Sequence, residues 1–182
     1  MATAKTGSFY LTETVLLPAG TASGGRVQGS IDLGAYVNVP TGQAVAIESV
    51  DFIVQVGTDY GGTIAAVAAS DTALTTQLTD LNPGTALVRA DNHSLIASQH
   101  IDIDNGNNSS TKEQDLYPDN FGPAALSEAF MVVNDTLYLV AGINGDAAAS
   151  NLYITARIKC RVVKLSNKDF MAIAIQSTAS DN

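Results

Sequence analysis

Two histidines, one cysteine and an Asp- and Asn-rich segment are the parts of this chain whose residue types could do chemistry. His93 and His100 stand seven residues apart around the start of an expected strand. Either could serve as a general base toward a Ser hydroxyl, and Asp102 is at hand to orient the imidazole. A chain this rich in Ser and Asp can always supply such a trio on paper, so its availability carries no information. The sequence has no G-x-S-x-G elbow, no H-E-x-x-H pair and no phosphate-cradling P-loop. No catalytic residue is assigned, and the chain is not expected to be an enzyme.

Cys160 falls on an apolar row with Ile158 and Val162, where burial raises a thiol's pKa and makes it inert. As the only cysteine, it allows neither an intrachain disulfide nor a multi-thiolate metal centre. In the segment Asp102–Asn108, the residues Asp102, Asp104 and Asn108 offer the oxygen ligands that a hard cation takes. However, Gly106 stands where a third alternating ligand belongs, and no Glu closes a twelve-residue loop. A solvated turn is expected there, with no metal and no other cofactor. The Asn-x-Ser/Thr triplets at Asn92, Asn107, Asn108 and Asn134 follow from an Asn-, Ser- and Thr-rich composition.

Positive charge is gathered in one place. Five of the nine basic residues lie within Arg157–Lys168, and Arg157, Lys159 and Arg161 share one face of an alternating segment. With Lys164, Lys168 and Phe170 they are the candidates for contacts between subunits, because a basic row on a chain of net charge −9 can dock onto acidic patches of another copy. Steering toward phosphate in lipid headgroups or nucleic acid is a competing use. An ordinary solvated strand face is the third reading.

The elements that must position these residues read as β-strands. In Leu152–Leu165, the apolar row Leu152, Ile154, Ala156, Ile158, Cys160 and Val162 alternates with Tyr153, Thr155, Arg157, Lys159 and Arg161, the pattern of a strand with one core face. Alternation also marks Val27–Val39. From Val45 to Val56 the apolar phase shifts by one residue near Glu48, which predicts a β-bulge or bend. Further strands are expected at Ser8–Leu17, Thr63–Ala69, Thr85–Ala90, Ser94–Asp102, Glu128–Val133 and Thr136–Ile143. Asn134-Asp135 either turns between the last two or lies within one bent strand. Leu74, Leu78 and Leu81, spaced i, i+4, i+7 after Ser70 or Asp71, predict a short internal helix ended by Pro83-Gly84. Ser166–Asp169 resembles a capping box, with Leu165 and Phe170 placed as a hydrophobic staple. It predicts a helix over Asn167–Gln176, against a rival reading as strand. The stretch Asp104–Pro123 reads as a long irregular loop.

With 182 residues, 46% of them hydrophobic, the chain can bury one core without staples, and no domain boundary or repeat interrupts it. Residues 1–182 read as a single all-β domain, a sandwich or barrel, with 1–7 flexible and 166–182 a C-terminal extension. Charged residues are only 15%, against roughly 25% in an average globular chain, so the surface is built of small uncharged groups that are cheap to desolvate. Nine Lys and Arg at a pI near 4.3 argue against nucleic-acid binding. Residues 1–10 carry no apolar run and nothing approaches a membrane-spanning length, so neither a signal peptide nor a transmembrane segment is expected.

The strand order, the polar stretch Asp104–Pro123 and the long alternating last strand Leu152–Leu165 together resemble the single jelly-roll capsid proteins of icosahedral viruses. In size and in acidic, small-residue character the chain is similar to the smaller major capsid proteins of tailless, membrane-containing viruses of archaea and bacteria. This resemblance implies a two-sheet antiparallel sandwich of jelly-roll type with about eight strands. It also implies assembly into capsomers with copies of itself and other capsid proteins, and a place in the virion after assembly in the host cytoplasm. The basic stripe would then be the point of any membrane contact, and the C-terminal extension could reach a neighbouring subunit. Two other functions stay open. One is a carbohydrate- or receptor-binding module of a fibre or adhesin, with Tyr10, Tyr36, Tyr60, Tyr117 and Tyr153 to stack on sugars. The other is a small enzyme on a sandwich scaffold.

Overall fold

The computed structural model of the protein describes residues 2–58, 63–114 and 129–179. Its strands are β1 (Thr3–Ala4), β2 (Phe9–Leu17), β3 (Arg26–Asp32), β4 (Gln43–Val56), β5 (Thr72–Thr79), β6 (Leu95–Asp104), β7 (Ser109–Gln114), β8 (Phe130–Val132), β9 (Thr136–Asn144) and β10 (Leu152–Lys164). Two helices, α1 (Ile64–Val67) and α2 (Asn167–Ala179), and a 3₁₀ turn at Val39–Thr41 complete it. Sheet A runs β2-β10-β4-β8, with β1 continuing beside β10; sheet B runs β3-β9-β5-β6-β7. All pairings are antiparallel. The nested pairs β2·β10, β3·β9, β4·β8 and β5·β6 are those of one long hairpin rolled so that its arms alternate between two sheets, which is the jelly-roll order.

β10 is the axis of sheet A. Its alternation places Leu152, Ile154, Ala156, Ile158 and Cys160 fully inside, where they meet Leu74, Leu78, Leu137, Leu139 and Ile143 from sheet B. β4 crosses from one face to the other as its apolar phase predicts. Lys159 pairs with Ser49 and Cys160 with Ile47, so Glu48 is the extra residue of a β-bulge. Before it Val45 and Ile47 face the main core; after it Val50 and Phe52 do. The parity switch leaves Ala44 and Ala46 on the outer face of sheet A. There they join Val163, Leu165, Val133 and Phe170 in a second, smaller core.

α2 closes this second core, and the strand reading of the segment is set aside. Ser166 Oγ accepts the Asp169 amide at 3.2 Å, and Leu165 and Phe170 both enter the cluster, as a capping box and staple require. The first residues, read as a flexible N-terminus, are bonded along β10: Thr3 and Ala4 pair with Lys164 and Val163, and the Lys5 amide donates to Val162 O at 2.8 Å.

Several local expectations are corrected. The helix predicted through Leu74 and Leu78 is β5, the strand between β6 and β9. Four of its eight residues are Thr, and Thr76 completes an inward row with the two leucines, so both ladders and the β-branched side chains favour a strand. The one internal helix of the described residues is the single turn Ile64–Val67, where a strand was predicted. Thr85–Ala90 is not a strand either. The Gln77 amide stands in for a neighbouring strand, donating to Val88 O at 2.9 Å and accepting the Val88 amide at 2.8 Å. The run from Val27 ends at Asp32, whose carboxylate accepts the Gly34 amide at 2.7 Å and turns the chain. Residues 133–135 separate β8 from β9, so Asn134-Asp135 lies at a turn. Of the predicted long loop, Ser109–Gln114 is β7, and 115–123 lie outside the described residues.

Candidate assembly surface

The outer face of sheet A is where the predicted contact residues converge. Along β2 the outward residues are Tyr10, Thr12, Thr14 and Leu16; along β10 they are Tyr153, Thr155, Arg157, Lys159 and Arg161. Register sets Tyr153 beside Leu16 and Thr155 beside Thr14, whose hydroxyls are 2.8 Å apart. Arg157 is paired in register with Thr12 on one side and Asp51 on the other, and its guanidinium lies 5.2 Å from the Tyr10 ring centroid. This half of the face is therefore aromatic, hydroxyl-rich and sparsely charged.

The two cations nearest the bulge are engaged inside the subunit. Glu48 is only 5% exposed, although it lies on the outer side of β4. Arg161 donates through Nε and the guanidinium terminus to Glu48 Oε1, Lys159 Nζ lies 3.5 Å from Oε2, and Ser8 Oγ reaches the two oxygens at 3.1 and 2.9 Å. Burial by itself would raise the Glu48 carboxyl, but the Ser8 hydrogen bond, Arg161 and Lys159 outweigh it and hold it below its ordinary value. The cluster ties the N-terminal edge strand, the central strand and the bulge together. Sequence reasoning located the bulge at Glu48 but missed the ion pair. The available signal was an acidic residue at the phase change of an apolar run, with cations on another strand.

Of the other contact candidates, Phe170 is 4% exposed and belongs to the second core, so it presents no surface while α2 is docked. Lys164 and Lys168 are exposed at the end of β10 and the start of α2. Beyond them, α2 shows Met171 (54% exposed) and Ile175 (61%), one turn apart on the same side of the helix. Neither was singled out by sequence reasoning.

The residues considered for chemistry lie elsewhere. His100 and Asp102 are on the outer face of sheet B. His100 Nδ1 is 3.0 Å from Thr75 Oγ1, and Nε2 is 2.9 Å from Asp102 Oδ1. This Thr–His–Asp chain is open to solvent, with the Asp102 side chain 59% exposed. Its strands are paired on both sides, so their backbone N–H groups serve the ladders rather than an oxyanion hole. His93 is not joined to it. It is exposed and lines a separate pocket of about 280 Å³ with Asp80, Phe130, Met131 and Ile173. Cys160 is fully buried; desolvation, and secondarily the Glu48 charge, push its thiol up to about 12.

The three oxygen ligands considered for a cation face different partners. Asp102 turns to His100, and Asp104 accepts the Asn107 amide at 2.9 Å and Asn107 Nδ2 at 2.7 Å. Asn108 takes φ of 51° in the turn to β7. Those Asn107 bonds hold the Asp104 carboxyl below its usual range. Among the described residues, no group of three His, Cys, Asp or Glu side chains is placed to hold a metal. Of the tyrosines considered for sugar stacking, Tyr10 and Tyr153 share the outer face of sheet A, and Tyr36 packs on Phe9 with ring centroids 5.2 Å apart. Tyr60 and Tyr117 lie outside the described residues. No helix among the described residues is long and apolar enough to cross a membrane.

The chain matches no protein-family model and no curated protein. Among solved structures similar to it are three viral proteins. Desmodium yellow mottle tymovirus is 9% identical over 88% of this chain and 90% of that one, with a TM-score of 0.35. VP1 of Trichodysplasia spinulosa-associated polyomavirus, solved with sialylated glycooligomers, is 7% identical over 86% and 95%, with a TM-score of 0.38. The empty head of turnip yellow mosaic virus is 11% identical over 91% and 87%, with a TM-score of 0.33. Likeness at this level carries no argument about function, and the jelly-roll assignment rests on the strand order itself.

Proposed function

We propose that the protein is a self-assembling shell subunit of the virus-capsid kind, forming capsomers with copies of itself through a contact that includes the outer face of sheet A. Jelly rolls serve capsids, lectins and cupins alike, so the fold does not choose among them. One observation supports the choice. Among the described residues, the large apolar side chains left exposed are Tyr10, Leu16, Val39, Tyr153, Met171 and Ile175. Every one lies on the sheet A side: three on β2 and β10, two on α2, and Val39 on the turn whose Gly42 carbonyl accepts the Leu165 amide at 2.8 Å, beside the start of α2. Aromatic residues, Met and Arg are the types that interfaces concentrate, and a surface of Thr and Ser is cheap to dry. Among the described residues, the exposed large apolar side chains thus gather on one side, as a contact surface would place them.

The finer reading, a major capsid protein of a tailless, membrane-containing virus located in the virion, belongs to the same proposal. There the exposed Lys164 and Lys168 would meet lipid phosphate if that side faces a membrane. Native mass spectrometry across protein concentration, with electron microscopy of the assembled material, tests it. Discrete oligomers or closed particles are expected. A strict monomer at high concentration, at both low and high salt, refutes it. A sugar-binding reading draws on Tyr10 and Tyr153, which lie six residues apart along the face, about 20 Å. It is weakened by Arg157, which already covers the Tyr10 ring. Glycan-array binding by an isolated monomer would reinstate it.

A further inference from the structure

Charge is divided unequally between sheet A with α2 and the rest of the chain. The strands of sheet A, α2 and Lys5 hold six of the nine cations but only four of the eighteen carboxylates, a formal charge of +2. The remainder of the chain holds three cations and fourteen carboxylates, or −11. On the outer face of sheet A, the single carboxylate of Glu48 offsets one of the two charges of Lys159 and Arg161, and Asp51 stands beside Arg157 in register. Lys164 and Lys168 are exposed beyond them, so cations outnumber carboxylates beside the exposed apolar residues. Sheet B differs. Asp102 and Glu113 are exposed on the outward side of β6 and β7, where register puts His100 beside Glu113 and Asp102 beside Thr111. No Lys or Arg points outward from β5, β6 or β7, because Lys112 turns inward and donates to Phe52 O at 3.3 Å. Arg26 on β3, at the opposite edge of sheet B, is the outward cation among the strands of this sheet, so the acidic side is the β6–β7 edge.

Resting on the shell-subunit reading, we infer that the contact is heterologous: the cationic, apolar outer face of sheet A in one copy docks onto the acidic outer side of sheet B in a second copy of this chain. The alternative, sheet A against sheet A about a two-fold axis, would bring together two faces in each of which cations are in excess. Like charges opposed across a drying interface are disfavoured, whereas face-to-back docking brings opposite charges together. A pair held by such a contact keeps one unused face of each kind, the sheet B face of one copy and the sheet A face of the other. Assembly therefore continues past the dimer, closing into a ring when the rotation per step divides a full turn.

Two variants test the polarity by size-exclusion chromatography with light scattering. Leu16→Asp/Arg157→Glu disables the sheet A face, and Asp102→Lys/Glu113→Lys disables the sheet B face. All four positions are exposed, and thermal melts check that both variants fold. Lys164→Glu/Lys168→Glu replaces the first variant should it melt early. Each variant alone is expected to need roughly tenfold or more protein for half-association. A one-to-one mixture is expected to form a dimer that grows no further, because one partner supplies the intact sheet A face and the other the intact sheet B face. Wild-type assembly by the sheet B variant refutes the heterologous contact and leaves the shell reading standing, as does a mixture that forms no dimer. A folded, monomeric wild-type protein that binds anionic vesicles through Arg157 and Lys164 refutes both.

Discussion

Replacing Glu48 with Gln removes one charge and almost no volume, so it isolates what the buried carboxylate does. The side chain is 6% exposed and lies among Ser8, Lys159 and Arg161. Breaking a fully buried ion pair from one side costs about 3–5 kcal/mol, because the abandoned charge stays dry. Here the side chains of Arg161 and Lys159 are 24% and 38% exposed, and water recovers part of that loss. A destabilisation of about 2–3 kcal/mol follows for Glu48→Gln at pH 7. In a domain of this size that lowers Tm by about 5–10 °C. The sign with pH is equally definite. The folded carboxyl lies below its ordinary 4.5, so its contribution is present above that value and is lost as pH falls through the folded pKa. Wild type should therefore lose its advantage over Glu48→Gln on acidification, and the two stability curves should converge. Urea denaturation at pH 7 and thermal melts from pH 7 to 3 measure both effects. A variant within about 0.5 kcal/mol of wild type at pH 7, or acid limbs that run parallel, would refute the reasoning.

Three further outcomes follow from the packing. Phe170→Ala should cost about 3 kcal/mol by emptying the second core between α2 and Ala44, Ala46 and Val163, seen as a lower denaturation midpoint with part of the helical circular dichroism lost. Deletion of 167–182 should expose the same alanines and leave the main core formed; complete loss of β-structure would contradict the division into two clusters. Cys160 should not react with a thiol-specific disulfide reagent in the native protein at pH 8, because its pKa is near 12, and should react fully in denaturant. Gln77→Ala should leave two backbone groups of Val88 without their partner, at a cost of about 1–3 kcal/mol. Faster hydrogen exchange at the Val88 amide, with β5 still protected, is its signature.

The strands whose partners lie on one face only were legible in the chain itself. β10 and β2 alternate because one side of each meets the core, and side-chain period alone reveals that. The Glu48 bulge was legible for the same reason, since a shift of apolar phase has few other causes in a strand. The α2 start was legible through a local cap and staple. β5 was not. Its inward row includes Thr76, and its leucines fit a helical spacing as well as an alternating one, so only the ladders on both sides decide between them. Thr85–Ala90 failed for a related reason: its partner is a side-chain amide, which leaves no trace in local pattern.

The basic row shows the same division most clearly. Sequence by itself determined that Arg157, Lys159 and Arg161 leave one face of one strand, since alternation requires it. It also determined the low charge density and the acidic total from which a protein-contact surface was expected. Only the tertiary structure decided which of these cations remain available. Glu48 lies over a hundred residues away and reaches Lys159 and Arg161 through a bulge in the neighbouring strand, while Arg157 rests on Tyr10. The physical reason is that an ion pair depends on distance in space, which strand register sets, whereas the side of a strand depends only on neighbours along the chain.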